Sequence, residues 1–224
     1  MADWALIGVE VGADGLPRCG WCGADEEYQR YHDTEWGRPV GNDVRLYEKI
    51  CLEGFQSGLS WLTILRKREN FRAAFSGFDP GLVARFGESD VERLLGDAGI
   101  VRHRGKIEAA INNAQATLTT IDKYGSLASV IWSFEPDRST RSTPQLLQDI
   151  PGETPESKAL AKELKRLGFR FIGPTTAYAA MQSLGVVNDH LRGCAAQQDC
   201  ETDREAFALT VGDIGRDQSN DSPN

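Results

Sequence analysis

The sequence predicts an all-α protein, and three observations carry that prediction. Apolar residues recur at three- and four-residue spacing through most of the chain between Asp43 and Leu184, the repeat of an amphipathic helix. Proline follows Asp or Thr at Asp79-Pro80, Thr143-Pro144 and Thr154-Pro155, the arrangement of an N-cap with Pro in the first helical turn. No stretch of useful length alternates apolar and polar residues as a half-buried strand would, and no repeat of solenoid period is present.

The elements follow in order. Residues 1–17, with Gly8, Gly12, Gly15 and Pro17, read as a flexible N-terminal extension, and order is expected from Arg18. A charged, aromatic segment from Asp25 to Trp36 leads through a Gly-Arg-Pro-Val-Gly-Asn loop to Asp43, an expected N-cap. The helix it opens carries Val44, Leu46, Tyr47, Ile50 and Cys51 on one face, and Trp61 to Phe75 continues as helix with Arg66-Lys67-Arg68-Glu69 outside. A short helix starts at Asp79-Pro80, and Ser89-Asp-Val-Glu92 fits a capping box for a segment that Gly99 ends. Arg104 to Tyr124 is a long helix and Leu127 to Phe134 a short one; Thr154-Pro155 opens another over 156–167, and a last one runs from Thr175 to about Leu184. The ordered domain is expected over 18–194 as a single unit. From 195 to 224 the polar, Asp-rich sequence reads as an acidic disordered tail.

Composition bounds the function. With 224 residues, 40% hydrophobic and 26% charged, the chain suits one domain or two small ones. No apolar run approaches the roughly 18 residues of a membrane helix, and the first residues lack the basic region of a secretory signal, so a cytoplasmic protein is expected, without membrane partners. In that setting the five cysteines are thiols or metal ligands rather than disulfides. The net charge of −8 lies in the two ends: residues 195–224 hold seven acids against Arg204 and Arg216, and residues 1–17 hold three acids and no base. The acidity of the whole therefore does not exclude a nucleic-acid partner for the neutral middle, because binding depends on how charge is distributed.

Four groups of residues could carry chemistry. In Cys51-Leu-Glu-Gly-Phe-Gln-Ser-Gly-Leu-Ser-Trp61 a helix would bury Glu53 and end near the flat ring of Trp61, which together could grip a flat, hydrogen-bonding ligand or simply pack as core. Cys19 and His32 near the start, with His190-Leu-Arg-Gly-Cys194 near the end, supply the thiolates and imidazoles of a tetrahedral zinc site, which would tie the two chain ends together. Cys19-Gly-Trp-Cys22 also has redox spacing, and Cys22 could replace Cys19 or His32 as a ligand; a redox reading wants a β/α setting that is not visible. Gly168-Phe-Arg-Phe-Ile-Gly173 forms a tight turn between helices whose amides, at Gly173 and Thr175, could hold a phosphate; an ordinary αα-hairpin turn would look the same. Arg102-His-Arg104-Gly-Lys106 is a further basic spot.

Taken together, Arg18-Cys-Gly-Trp21, Tyr31-His-Asp33 with Glu35-Trp-Gly37, Cys51-Leu-Glu-Gly54 with Gly58-Leu-Ser-Trp61, Lys67-Arg-Glu-Asn70, Arg102-His-Arg-Gly-Lys106 and Asn188-Asp-His190 resemble the 3-methyladenine DNA glycosylase I family. The resemblance implies a helix-hairpin-helix DNA glycosylase fold with a structural zinc held by Cys19, His32, His190 and Cys194, leaving Cys22 a non-ligand neighbour. It implies a monomer without organic cofactor that excises 3-methyladenine from double-stranded alkylated DNA by base flipping. It assigns the reading of the base to Glu53, the acid nearest the chemistry, with Tyr31 and Trp61, and adds Tyr28 and Trp36 as lining. DNA would be held by Gly168, Arg170, Gly173, Thr175, Arg102, Arg104 and Lys106. Related helical glycosylases carry a catalytic Asp in a Val-Asp-x-His run; here Val187-Asn188-Asp189-His190 places Asn there, as the family does. Bifunctional members carry a lysine after the hairpin, where this chain has Pro174-Thr175-Thr176, which implies base release without strand cleavage.

Overall fold

The structure is a computed structural model and describes residues 7–217, with side chains through residue 207. The chain divides into two compact units, each assembled from separated segments. The first comprises Met1–Pro39, Ser142–Ile150 and Gly185–Asn224, the second Val40–Arg141 and Pro151–Leu184.

In the first unit, β1 (Val9–Val11) pairs antiparallel with β2 (Pro17–Cys19), Val9 opposite Cys19. The described residues are mostly helical, as the all-α reading expected, while residues 7–17, expected as part of a flexible extension, are thus largely a hairpin. Its two three-residue strands are too short to show a period, and what holds them is remote in sequence. Arg18, almost fully buried, ion-pairs with Asp14 at 2.7 Å and Asp33 at 2.8 Å, and the Ile7 carbonyl accepts from the Leu147 amide at 2.9 Å. α1 (Glu26–Thr34) starts where the Asp25 carboxylate accepts from the Tyr28 amide.

The stretch read as a disordered tail begins instead with α10 (Ala195–Asp217). Three of its acids, Asp199, Glu201 and Asp203, have partners. Arg38 ion-pairs with Asp203 at 2.6 Å and Asp199 at 3.8 Å. Arg204, 3% exposed, donates to the carbonyls of Gly185 at 2.7 Å and Val186 at 2.9 Å while pairing with Glu201. Thr143-Pro144 opens no α-helix; a 3-10 turn over Leu147–Asp149 follows it.

The second unit is a helical bundle around α2 (Asp43–Gln56), which packs against α3 (Trp61–Ala74), α6 (Arg104–Tyr124), α7 (Leu127–Trp132) and α9 (Pro174–Ser183). The N-cap of α2 is Asn42, whose side chain accepts from the Arg45 amide; Asp43, expected in that role, accepts from Ala128 at 3.1 Å. Gly58, at φ +83°, turns the chain between α2 and α3, and Ser60 caps α3. α4 (Pro80–Val83) is capped by Asp79 as expected. α5 (Glu88–Gly96) starts earlier than the Ser89 box implies: the Gly87 amide donates to Asp90 at 3.1 Å. α8 (Pro155–Arg166) has its Thr154–Ser157 capping box and packs tightly on α9, forming the expected hairpin. Tyr47, Phe55, Phe71, Phe75, Phe78 and Leu94 are fully buried at its centre.

Candidate metal centre and active site

The first unit holds a closed donor set. Hairpin strand β2 supplies Cys19, α1 supplies His32, and the loop before α10 supplies His190 and Cys194; all four are buried, with ligand atoms within 4.8 Å of one another. Cys194 Sγ lies 3.4 Å from His32 Nε2 and 3.5 Å from His190 Nδ1, and Cys19 Sγ lies 3.7 Å from His190 Nδ1. A tetrahedral zinc with ordinary Zn–S and Zn–N bonds sets sulfur and nitrogen about 3.5 Å apart. The outer nitrogens are already engaged: His32 Nδ1 bonds Asp33 at 2.8 Å and His190 Nε2 bonds the Trp36 carbonyl at 3.0 Å. Donation outward leaves the inward nitrogens of both rings as lone-pair donors. The hydrogen bond between the two thiols raises the Cys19 pKa and lowers that of Cys194, favouring a thiolate at Cys194. The residues therefore fit a four-coordinate metal with no open position, which would supply cross-linking and no Lewis-acid chemistry. Cys22 points its sulfur at the Gly23 carbonyl instead and stays outside the set, and burial pushes its thiol up to about 11.

Tyr28, Tyr31 and Trp36 also belong to the first unit. Trp21 packs edge-on against Tyr28 at 5.0 Å, His32 at 5.2 Å and Trp36 at 5.0 Å, and Trp36 meets His190 at 4.7 Å, so these rings wall the donor set. Tyr31, nearly fully buried, stacks on Tyr28.

Glu53 and Trp61 belong to the second unit. Glu53 lies on the last turn of α2 and Trp61 opens α3; both are buried. Ser183 on α9 donates to Glu53 Oε1 at 3.4 Å, and Lys49 Nζ, one turn back along α2, lies 3.7 Å from the same oxygen. That ammonium also sits 3.9 Å over the Trp61 ring. Burial raises the Glu53 pKa; the Lys49 charge and the Ser183 hydrogen bond only partly offset it. Lys49 is the residue that reading the sequence missed, although its place four residues before Glu53 is the spacing of an i,i+4 pair. Glu48, beside it, pairs with Arg72 at 2.7 Å.

The expected DNA-contact residues divide. Gly168 at φ +96° and Phe171 at φ +55° shape the α8–α9 turn. Asn113 fastens it by accepting from the Arg170 amide at 2.7 Å and donating to the Arg170 carbonyl at 3.1 Å. Gly173 is the N-cap of α9, and Arg170 and Thr175 are exposed, as is Arg102. Arg104 is exposed but paired with Glu88, Glu92 and Glu108. Lys106 is buried and donates to the carbonyls of Phe55 at 2.9 Å and Ser57 at 2.6 Å, closing the C-terminus of α2 rather than facing solvent.

Comparison with known proteins accounts for this architecture. The family model for methyladenine glycosylase matches residues 21–197. A helical chain matched over that span is a DNA glycosylase, an enzyme of base repair that hydrolyses N-glycosyl bonds. DNA-3-methyladenine glycosylase 1 of Escherichia coli (strain K12) is 50% identical over 80% of this chain and 96% of its own length. DNA-3-methyladenine glycosylase of Haemophilus influenzae is 47% identical over 79% and 96%. The structure of 3-methyladenine DNA glycosylase I from Staphylococcus aureus, described for its recognition of 3-methyladenine, superposes with a TM-score of 0.77 at 34% identity, covering 80% of this chain and 96% of that one. The chain belongs to the methyladenine glycosylase family.

Proposed function

We propose that the chain excises 3-methyladenine from double-stranded alkylated DNA, drawing the nucleotide out of the helix and releasing the base without cutting the strand. The observation that carries this reading is the pairing of a buried carboxylate, Glu53, with the Trp61 ring. Methylation at N3 makes adenine a cation and so a good leaving group, which leaves selective capture as the enzyme's main task. An indole face attracts a cation, and a buried carboxylate both accepts from the exocyclic amine and favours positive charge. Neutral adenine gains neither charge term. Named relatives act on this base or bind it. The roles of Tyr28, Tyr31 and Trp36 in holding the base follow the family resemblance, as does zinc in the Cys19, His32, His190 and Cys194 set. The α8–α9 turn, with Arg170 and Arg102, is the proposed grip on the DNA backbone.

Incubation with methylated duplex DNA should yield free 3-methyladenine and an abasic strand that breaks only on alkali treatment. Failure to release the base, or a strand cut by the enzyme itself, would overturn the reading. Glu53→Gln should lose base release by about 10- to 100-fold, the worth of one charged hydrogen bond, while its affinity for undamaged duplex stays that of the parent.

A further inference from the structure

Lys49 stands where a bound base would have to stand. Its ammonium is at once 3.7 Å from Glu53 Oε1 and 3.9 Å from the centre of the Trp61 ring. Aromatic groups stack with centroids upward of about 4.5 Å when offset, so any ring that stacks on this face and bonds to Glu53 needs the volume the ammonium fills. Lys49 keeps 12% of its side-chain surface in contact with solvent, and its four-carbon stem gives it a way out.

We propose that Lys49 is a resident stand-in for the cationic base: it holds the seat between Glu53 and Trp61, yields it to a base that carries positive charge, and reclaims it once that charge is gone. The proposal rests on Glu53 and Trp61 being the base site. The exchange is a swap of like for like. A cationic base brings the charge that Glu53 loses when the ammonium leaves, and the ring keeps a cation on its face. Two positive charges cannot share the seat, so Lys49 must swing toward solvent. Neutral adenine offers no such replacement and would leave a buried carboxylate without a counter-charge, which is strongly unfavourable. Lys49 therefore sharpens selection by charge, beyond what Glu53 and Trp61 achieve alone.

The same logic ejects the product. When the bond between N9 and the sugar C1′ breaks, the bonding pair stays on the base and cancels its charge, while solvent water adds to C1′ and gives up a proton. The base is then a neutral molecule in a seat made for a cation. The ammonium is the better occupant and competes it out.

Equilibrium binding of free 3-methyladenine at a pH where it is neutral, measured by calorimetry on the full-length, metal-loaded protein, tests this. A seat filled by the side chain nine-tenths of the time weakens a ligand's apparent affinity about tenfold, so Lys49→Met and Lys49→Gln should each bind the neutral base about tenfold more tightly than the parent. Lys49→Arg, which keeps the cation, should restore the parent affinity. In turnover, Lys49→Met should show stronger product inhibition, with multiple-turnover kcat falling further below the parent's than its single-turnover rate does, a split that a merely structural role would not produce. If Lys49→Met and Lys49→Gln, folded by circular dichroism, bind the neutral base no more tightly than the parent, the proposal is overturned. Trp61→Ala separates this from failure of the site itself: if that variant binds the base as the parent does, the base lies elsewhere and both readings fall together.

Discussion

Glu53 is under two opposing demands, and its pH behaviour exposes both. Burial raises its pKa above the ordinary 4.5 of a glutamate, with Lys49 and Ser183 pulling against that rise. A group whose folded pKa is raised stabilises the fold below its unfolded pKa and loses that contribution as pH rises through the folded value. At neutral pH the ionised carboxylate therefore costs stability, while recognition of a cationic base needs it ionised. Single-turnover base release should thus fall on the acid side with a midpoint above 4.5, and the residual activity of Glu53→Gln should lack that limb although the variant melts no lower than the parent. A midpoint at or below the ordinary value would show that the carboxylate is not the titrating group. Lys106 teaches the converse lesson about single residues. In the sequence it is one more base in a basic cluster, yet it is 8% exposed, bound to two carbonyls, and burial lowers its pKa. Residue type shows what a group can do, whereas its partners, here 49 and 51 positions away, decide what it does.

At the scale of elements, what was legible was local. α6 announces itself through its periodicity, and α8 through periodicity with a Thr154-Pro155 cap lying within four residues. The β1–β2 hairpin and α10 have no such signature, because they are held by Arg18, Arg38 and Arg204, whose partners are not helix neighbours alone. An acidic stretch looks like solvated chain until one basic residue, Arg38, lying 161 and 165 positions upstream of Asp199 and Asp203, meets it. Arg204 matters most. Its guanidinium satisfies the Gly185 and Val186 carbonyls from within a buried setting, so Arg204→Ala strips two buried acceptors of their donor. The loss should be about 2–4 kcal/mol, seen as a lower melting temperature and faster amide exchange over residues 195–207. Exchange unchanged in that segment would mean that α10 is held by its apolar contacts, Ala196 and Cys200 among them.

For the whole molecule the contrast between the two units decides what a metal at the donor set would do. The second unit buries a continuous aromatic and aliphatic centre, including Phe55, Phe71, Phe75 and Phe78. The first is pieced together from three segments, and its cluster around the donor set is small: Cys19, Leu191, Cys194 and Ala196, with Val9, Trp21, Leu147 and Ile150 against them. Its two pairs of ligands are as much as 175 residues apart in sequence, from Cys19 to Cys194. A cross-link closing a loop of this length removes conformational freedom from the unfolded chain worth about 5 kcal/mol, and a metal that binds only the folded form adds its own binding energy. One zinc per chain should therefore be found on elemental analysis, and stripping it with a strong chelator should unfold the first unit while helical signal from the second persists. Thiol labelling gives the sharper measure. Cys22 and Cys200 are buried, with pKa values pushed up to about 11 and about 12, and should react slowly in the loaded protein. After chelation Cys19, Cys22, Cys194 and Cys200 should all react rapidly, whereas Cys51, buried in α2, should stay protected. Re-addition of zinc should restore the melting temperature in a concentration-dependent way. A stripped protein that keeps its melting temperature and protects these four thiols would show that packing alone holds the first unit together.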